Sequence, residues 1–292
     1  MTSGTRNSLK IWRVIDLLNW GEQYFTDNGF DNPRKEIEIL IQDILECSRV
    51  NLYLRFEEPL SKIQLAKLRD WIQRRKNREP TQYITGNAGF YNLILNVTPD
   101  VLIPRPESER LVEILLETID KKSNISILDI GTGSGCLALA LGKELPNAKV
   151  TGIDKSIEAV EIAKLNAESL HIKNAKFLQM DILTDQIKGE YDILISNPPY
   201  IPKAEIESLM QDVKEFEPLS ALTDLANGLT FYHKISEISP TIVKPNGWLF
   251  LEVGLGEHPK KVLQLFSNEK FKNVELIKDY NDDDRVLRAK VV

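Results

Sequence analysis

An apolar run that ends in an amide, two prolines and a phenol is the part of this sequence that most directly suggests chemistry. Asp192–Ser196 is typical of a buried strand, and Asn197-Pro198-Pro199-Tyr200 follows it at once. An amide or exocyclic amine nitrogen is a poor nucleophile because its lone pair is delocalised. If the Asn197 side-chain oxygen and the Pro198 carbonyl each accept one of its N–H groups, that lone pair is left free towards a methyl donor.

The neighbouring residues of this segment suit the same purpose. The prolines restrict the backbone, so little entropy is lost on alignment, and Tyr200 can stack on a planar amide or base. The alternative is a Pro-rich end to an ordinary strand. We take Asn197, Pro198 and Tyr200 as candidate catalytic residues, and Asn197, Pro198, Pro199 and Tyr200 as candidate substrate-binding residues.

A glycine-rich turn follows the first predicted strand, Ile125–Ile130, and reads Gly131-Thr132-Gly133-Ser134-Gly135. Glycines allow a tight turn and let a ligand approach the backbone closely. The spacing is neither the G-x-G-x-x-G dinucleotide fingerprint nor a P-loop. Asp129, just before the turn, is placed to lie near an ammonium group of a ligand.

Carboxylates also follow the next two predicted strands. Asp154 ends the second strand, where it can accept hydrogen bonds from both hydroxyls of a ribose, and Asp181 follows the third, where it can accept from an adenine amino group. Each alone could be a turn or capping residue. Open α/β sheets bind ligands at the carboxyl ends of their strands, so the three carboxylates together predict a ligand made of adenosine and an amino acid. This favours S-adenosylmethionine over NAD(P).

Strands and helices alternate from residue 125 onwards, which predicts βαβ units and a mostly parallel sheet. The predicted fold is α/β, a Rossmann-like domain with a seven-stranded sheet whose last two strands form an antiparallel edge. The predicted strands are Ile125–Ile130, Lys149–Ile153, Ala175–Leu178, Asp192–Ser196, Gly247–Val253, Asn273–Ile277 and Arg285–Val291.

The first 80 residues are predicted to form a small helical bundle. Ser8 is placed to cap the first helix, Pro33 suits the start of the second, and Ser61 opens a third. We predict a helical substrate-recognition domain over 1–80, a β-hairpin linker over 81–104 and a catalytic domain over 105–292. The basic cluster Arg74–Arg78 is either the cationic end of a helix or a docking surface.

Composition narrows the class of protein further. The 292 residues carry a net charge of −6, and the acidic excess lies beyond residue 85, which argues against a duplex DNA binder. Cys47, Cys136 and the three scattered histidines form no disulfide framework and no metal site. The polar segment Met1–Lys10 does not resemble a signal peptide, and no apolar run is long enough to span a bilayer. We therefore expect a cytoplasmic protein without a membrane partner.

The glycine-rich turn and the Asn-Pro-Pro-Tyr segment together resemble class I S-adenosylmethionine-dependent methyltransferases that act on planar nitrogens. Four other segments are similar to the glutamine N5-methyltransferases of release factors, the HemK/PrmC family. They are Arg78–Gly86, Leu102–Glu109, Glu217–Leu222 and Asp283–Val286, so the resemblance covers nearly the whole chain. Ser108 stands where the family usually has Thr, and the loop Thr223–Leu229 lacks its usual glycines.

The resemblance implies methylation of the side-chain nitrogen of the glutamine in the Gly-Gly-Gln loop of peptide chain release factors. S-adenosylmethionine would be the methyl donor and S-adenosylhomocysteine the product. Apart from the resemblance, we expect a monomer that holds no metal. The resemblance assigns to the cofactor site Gly131, Thr132, Gly133, Ser134, Gly135, Asp154, Asp181, Ile182 and Asn197.

Two other functions stay open at this point. An adenine-N6 methyltransferase acting on DNA or RNA would also use an Asn-Pro-Pro-Tyr segment, and would have to flip its target base. The acidic body and the lack of a sizeable target-recognition insert count against it. A non-catalytic adaptor with the same fold is the third possibility, and the intact motifs count against it.

Overall fold

A computed structural model describes residues 11–292, and its contacts divide the chain into two compact units, Met1–Thr85 and Gly86–Val292. The predicted cap Ser8 and the polar segment Met1–Lys10 lie outside the described residues. Within residues 11–292, no helix is both long enough and apolar enough to cross a membrane.

The first unit is helical, as predicted. Its helices are α1 (Val14–Asp27), α2 (Pro33–Ile44), α3 (Arg49–Leu54), α4 (Lys62–Lys76) and α5 (Thr81–Thr85). Their apolar faces share one core that includes Leu18, Ile37 and Trp71. The predicted start signals hold, since Pro33 is the first residue of α2 and Ser61 forms a capping box with Gln64.

The basic cluster of α4 is used mostly inside this unit. The guanidinium of Arg75 donates to the Glu36 carboxylate at 2.8 and 3.0 Å. Arg74 pairs with Glu79. Arg78 donates to the carbonyls of Asn28 and Gly29, and its guanidinium lies 4.1 Å from the centre of the Phe30 ring. These contacts favour a structural use of the cluster over a docking surface.

The second unit opens with a short antiparallel hairpin of strands β1 (Asn87–Phe90) and β2 (Leu93–Asn96). Its two-residue turn is Tyr91-Asn92, both with positive φ, which suits the twist of a tight hairpin. The 3₁₀ turn Pro106–Ser108 leads into α6 (Glu109–Thr118). The rest of the unit is the alternating region that the sequence predicted.

Seven strands form the central sheet, in the order β5-β4-β3-β6-β7-β9-β8. They are β3 (Ser126–Ile130), β4 (Lys149–Asp154), β5 (Ala175–Gln179), β6 (Tyr191–Ser196), β7 (Val243–Glu252), β8 (Phe271–Lys278) and β9 (Asp284–Val291). The first five are mutually parallel and the last two antiparallel, as predicted. Strand β7 begins four residues before the predicted start at Gly247.

Helices cover both faces of this sheet. Besides α6, they are α7 (Cys136–Glu144), α8 (Ile157–Ser169), α11 (Thr230–Ile242) and α12 (His258–Phe266). The short helices α9 (Gln211–Phe216) and α10 (Leu219–Leu222) and a 3₁₀ segment, Lys203–Ser208, come between β6 and α11 in the chain. Two apolar clusters separate the layers, one beneath α6 and α7 and one beneath α11 and α12. Strand order reverses between β3 and β6, so the carboxyl ends of β3, β4 and β6 meet at one edge, where a ligand is expected.

Candidate active site

The glycine-rich turn is held at the edge of the sheet by main-chain hydrogen bonds. The amides of Gly131 and Thr132 both donate to the Ile153 carbonyl, at 2.9 and 3.0 Å, and the Gly133 amide donates to Asp154 Oδ2 at 2.9 Å. Gly131 and Gly133 have φ of +71° and +54°, a region that side chains disfavour. The turn therefore depends on its glycines and on the end of the neighbouring strand.

Asp154 stabilises this turn by hydrogen bonds and also lines the cleft beside it. Its Oδ1 accepts from the Ser156 amide at 3.0 Å, so each carboxylate oxygen already has one backbone donor. Each oxygen can accept a second hydrogen bond, which is what a ribose diol requires. Burial raises the pKa of Asp154, while the two amides partly oppose that rise.

A cleft of about 770 Å³, including its open mouth, lies beside the turn. Small molecules bind preferentially in concave, mostly apolar clefts with a few polar groups, and this cleft is of that kind. Six predicted cofactor residues line it, namely Gly131, Gly133, Asp154, Asp181, Ile182 and Asn197. Its walls also include apolar side chains, among them Ile153, Met180 and Phe231. A cleft with apolar walls and three carboxylates, those of Asp100, Asp154 and Asp181, fits the adenosine and amino-acid parts of S-adenosylmethionine.

Four other predicted cofactor residues lie behind this wall rather than in it. Asp129, Thr132 and Ser134 are buried, and Gly135 begins the turn into α7. Asp129 Oδ2 accepts from the Thr132 hydroxyl at 2.6 Å, and burial raises the Asp129 pKa to about 7. The reason for this placement is that β3 is a central strand, so its last residues are covered on both sides.

Gly152 makes room for this buried pair. A Cβ at that position would lie 2.6 Å from Thr132 Oγ1 and 2.6 Å from the Phe177 ring. The other oxygen of Asp129 has no hydrogen-bond partner among the described residues. Asp129 therefore supports the turn through Thr132, one layer beneath the cleft.

Asp181 is both a capping residue of a turn and a residue of the cleft, which are the two alternatives that its position in the sequence suggested. Its Oδ1 caps a turn by accepting from the Leu183 amide at 2.9 Å, and the residue also lines the cleft. The adjoining Ile182 is buried with only 5% of its surface exposed and packs in the core beneath the cleft. The pair thus forms the end of the cleft that follows β5.

The Asn-Pro-Pro-Tyr segment stands between this cleft and a second one. The second cleft is larger, about 1180 Å³ with its open mouth, and is lined among others by Arg105, Tyr200, Met210 and Leu255. Asn197 and Pro198 contribute to the walls of both clefts, whereas Pro199 lines only the first and Tyr200 only the second. A group held by Asn197 and Pro198 is therefore open to both spaces.

The NH₂ end of the Asn197 side chain is held by a hydrogen bond that it donates. Its Nδ2 donates to Ser108 Oγ at 3.0 Å, and that hydroxyl in turn donates to Glu252 Oε2. Among the described residues, no hydrogen bond uses Asn197 Oδ1 or the Pro198 carbonyl. Sequence reasoning missed Glu252, although a carboxylate within the apolar stretch Leu249–Val253 is a signal that could have identified it.

Tyr200 is held by residues far along the chain. Its ring packs 5.8 Å from that of His258, centre to centre, and a Cβ on Gly254 would approach it within 3.0 Å. His258 Nδ1 accepts from the Gly254 amide at 3.0 Å, so its Nε2 carries the proton and donates to the Gly228 carbonyl at 3.1 Å. Burial lowers the His258 pKa, which favours this neutral form.

The loop Thr223–Leu229 has a defined shape despite lacking the glycines usual in the family it resembles. Asp224 accepts from the amides of Ala226, Gly228 and Thr230, which closes the loop and starts α11. These bonds lower the Asp224 pKa, although burial opposes them. One aspartate thus replaces the conformational freedom that more glycines would supply.

Comparison with known proteins agrees with this geometry. Residues 16–86 match the model of the PrmC N-terminal domain, and residues 110–215 match the model of the Methyltransferase small domain. A methyltransferase structure from Pyrococcus furiosus aligns over 79% of this chain and 98% of its own, at 19% identity and a TM-score of 0.52. That likeness concerns the fold.

Curated relatives are more specific. The release factor glutamine methyltransferase of Geobacter sulfurreducens is 39% identical over 282 residues, which cover 97% of this chain and 98% of the relative. The enzyme of the same name from Fusobacterium nucleatum is 36% identical over 94% of this chain and 78% of its own. With identity of this level along almost the whole chain, this protein belongs to the family of release factor glutamine methyltransferases.

Proposed function

We propose that this chain transfers a methyl group from S-adenosylmethionine to the side-chain nitrogen, N5, of the glutamine in the Gly-Gly-Gln motif of peptide chain release factors. The observation that carries the proposal is the position of Asn197 and Pro198 in the walls of two clefts. A cofactor in one cleft and a side-chain amide entering from the other would meet at these residues.

The first cleft would hold the cofactor through residues of the chain that suit its parts. Asp154 would accept from the ribose hydroxyls and Asp181 from the adenine amino group, while Gly131 and Gly133 allow close approach to the backbone. When bound, S-adenosylmethionine supplies an electrophilic methyl group on a sulfonium. Asp129, Thr132, Ser134 and Gly135 would support this site from beneath the turn.

Asn197 and Pro198 would hold the substrate amide. Asn197 Oδ1 and the Pro198 carbonyl each accept one N–H of the glutamine NH₂ group, which holds the nitrogen with its lone pair directed towards the methyl group. As the N–C bond forms and the bond from the methyl carbon to the sulfonium sulfur breaks, the nitrogen becomes strongly acidic and loses one of its two protons to solvent. Tyr200 stacks on the amide plane, and Pro198 and Pro199 keep the two acceptors at a constant separation. The reaction then depends on alignment more than on a strong base.

The partner and its setting follow from this substrate. Release factors are proteins of the translation apparatus, so we propose a cytoplasmic enzyme that acts as a monomer and does not recognise a nucleic-acid sequence. The acidic excess beyond residue 85 supports the last point. We propose residues 1–80 as the substrate-recognition domain, 81–104 as the linker and 105–292 as the catalytic domain.

The helical unit offers a surface suited to recognition. Trp20 and Ile63 are exposed by 42% and 83% of their surface, and a groove beside Trp20 is lined by Leu65, Arg69 and Gln73. Exposed aromatic residues with an adjoining Arg are enriched in protein interfaces. This supports contact with a folded substrate protein beyond the methylated loop.

Incubation with a purified release factor and methyl-labelled S-adenosylmethionine tests the proposal. We expect one added methyl group on the Gly-Gly-Gln glutamine, located by mass spectrometry of the digested product. A release factor with that glutamine replaced by alanine is the control and should gain no label. Label on duplex DNA or RNA, with none on the release factor, would instead establish the adenine methyltransferase.

A further inference from the structure

Three groups from separate parts of the α/β unit form a buried chain that ends at Asn197. Glu252 is the last residue of β7, Ser108 directly precedes α6, and Asn197 follows β6. Ser108 and Glu252 expose only 2% and 1% of their surface. The Ser108 hydroxyl donates to Glu252 Oε2 at 2.5 Å and accepts from Asn197 Nδ2 at 3.0 Å.

The direction of these hydrogen bonds follows from the chemistry of the three groups. An ionised carboxylate can only accept, so the single proton of the Ser108 hydroxyl is directed to Glu252. The hydroxyl oxygen can then only accept from its other neighbour, which must present the NH₂ side of its amide. The two ends of an Asn amide have nearly the same shape, so hydrogen-bond polarity is what distinguishes them.

We propose that Glu252, acting through Ser108, sets the direction of the Asn197 amide so that Oδ1 faces the substrate. Glu252 and Ser108 are then positioning residues for the reaction, and this inference rests on the proposed methyl transfer to an amide. With the amide reversed, Asn197 would present NH₂ to the substrate NH₂, and two donors cannot pair. The buried chain prevents that reversal.

The strand end that carries Glu252 is itself held in place. The Tyr232 hydroxyl donates to the Glu252 backbone carbonyl at 2.6 Å, and Arg285, near the carboxylate, is paired with Asp279 at 3.0 Å. The titratable and charged groups that act on the Glu252 carboxylate come from other elements and loops and are Arg105, Glu107, Cys136, Tyr200, Tyr232 and Arg285.

The protonation state of Glu252 gives this chain a pH dependence. Burial raises its pKa to about 7, while Ser108 and Arg285 lower it in part. Protonated Glu252 could donate to Ser108, whose proton could then go to Asn197 Oδ1, so the reversed amide becomes allowed. The productive direction is therefore enforced above about pH 7 and is lost as the pH falls below that value.

The test compares kcat, KM for the release factor and S-adenosylmethionine affinity in the full-length enzyme. Ser108→Ala should lower kcat on the order of 10²-fold, since a misaligned reacting group has that effect, with cofactor affinity unchanged by calorimetry. Ser108→Thr keeps the hydroxyl and should restore most of the lost activity. Ser239→Ala is the matched control, because Ser239 is equally buried and its hydroxyl has no partner among the described residues.

The second variant, Glu252→Gln, preserves shape but can donate as well as accept and does not titrate near pH 7. It should lower kcat about tenfold above pH 7 and remove the fall in kcat below that pH. These profiles are measured at saturating S-adenosylmethionine, so that protonation of Asp129, with its pKa also about 7, does not act through cofactor affinity.

Each outcome decides between a positioning role and a merely structural one. Wild-type kcat in Ser108→Ala, or an unchanged pH profile in Glu252→Gln, would overturn the inference and leave the proposed function standing. Loss of activity in Ser108→Ala that Thr does not restore, together with a lower melting temperature, would indicate a structural role only. The comparison of these variants requires that the wild-type enzyme methylates the release factor. If the wild-type enzyme is inactive, the proposed function is overturned and this inference with it.

Discussion

The two clefts of the α/β unit are built in different ways. The first cleft, which is the proposed cofactor site, depends on the backbone, since the turn Gly131–Gly135 is held by amides that donate to Ile153 and Asp154. The second cleft depends on side chains from remote segments, because Asn197 is held by Ser108, and Tyr200 packs against His258. A local motif can build the first kind of site, whereas the second requires the whole sheet to be assembled.

Asn197→Ala should have the largest effect and separates the functions of the two clefts. Loss of Oδ1 removes one of the two acceptors proposed for the substrate amide, so we expect kcat to fall on the order of 10³-fold. Cofactor affinity should change by about threefold or less, because the carboxylates of the first cleft remain. Calorimetry with S-adenosylmethionine and single-turnover transfer measure the two effects. Equal loss of affinity and turnover would show that Asn197 serves mainly the cofactor.

Asp154→Ala should have the opposite signature. It removes a carboxylate that accepts from two amides of the turn and faces the cleft, so cofactor affinity should fall on the order of 10²-fold. At saturating cofactor, kcat should recover to near the wild-type value. Asp181→Asn, which keeps one acceptor, is the milder companion variant. A variant with normal affinity would contradict the proposed ribose contact.

Gly228→Ala tests how the packing around Tyr200 contributes to stability and turnover. Gly228 has φ of +80°, and an added Cβ would lie 2.2 Å from the Tyr200 carbonyl oxygen, which is backbone and cannot swing away. We expect a loss of at least about 2 kcal/mol of unfolding free energy together with a lower kcat. Gly256→Ala is the matched control, since its φ is +65° and nothing lies within 4 Å of its Cβ. It should cost about 1 kcal/mol and leave turnover unaltered.

His258→Gln should have the smallest effect, on the pH dependence of stability. Burial lowers the His258 pKa below its ordinary value near 6.5, so the unfolded chain binds the proton more readily than the folded one. The stability that His258 contributes is therefore present above about pH 6.5 and is lost as the pH falls below it. Between pH 7.5 and 5.5, the variant's melting temperature should fall by a few degrees less than the wild type's, on the order of 2 °C. An identical fall in the melting temperature of both proteins would contradict a lowered pKa of His258 in the folded state.

Much of the fold and half of the candidate site could be predicted because their signals are local. Alternating strands and helices predicted a mostly parallel sheet with an antiparallel edge, and the topology confirms it. Glycines after a strand predicted a tight turn, and Asp154 at the end of the next strand was predicted beside it. Parallel strands end at a common edge, so a residue at a strand end has a known location without a calculation of packing.

Other features depended on side-chain packing and escaped prediction. The burial of Asp129 beneath the turn follows from β3 being central in the sheet. The role of Asp224 in closing its loop follows from three amides that only the folded loop brings together. The internal pairing of Arg74, Arg75 and Arg78 likewise required the helices to be in place.

The amino-acid sequence by itself determined the fold class, and it predicted the proposed cofactor edge of the sheet and the proposed acceptor segment Asn197–Tyr200, because each follows from residues adjacent in the chain. Only the tertiary structure decided how Asn197 is held. Ser108 and Glu252 lie 89 and 55 positions from it in the chain, yet the Ser108 hydroxyl joins all three. Hydrogen bonds act over about 3 Å, so their partners are known only when the sheet has brought the strand ends together.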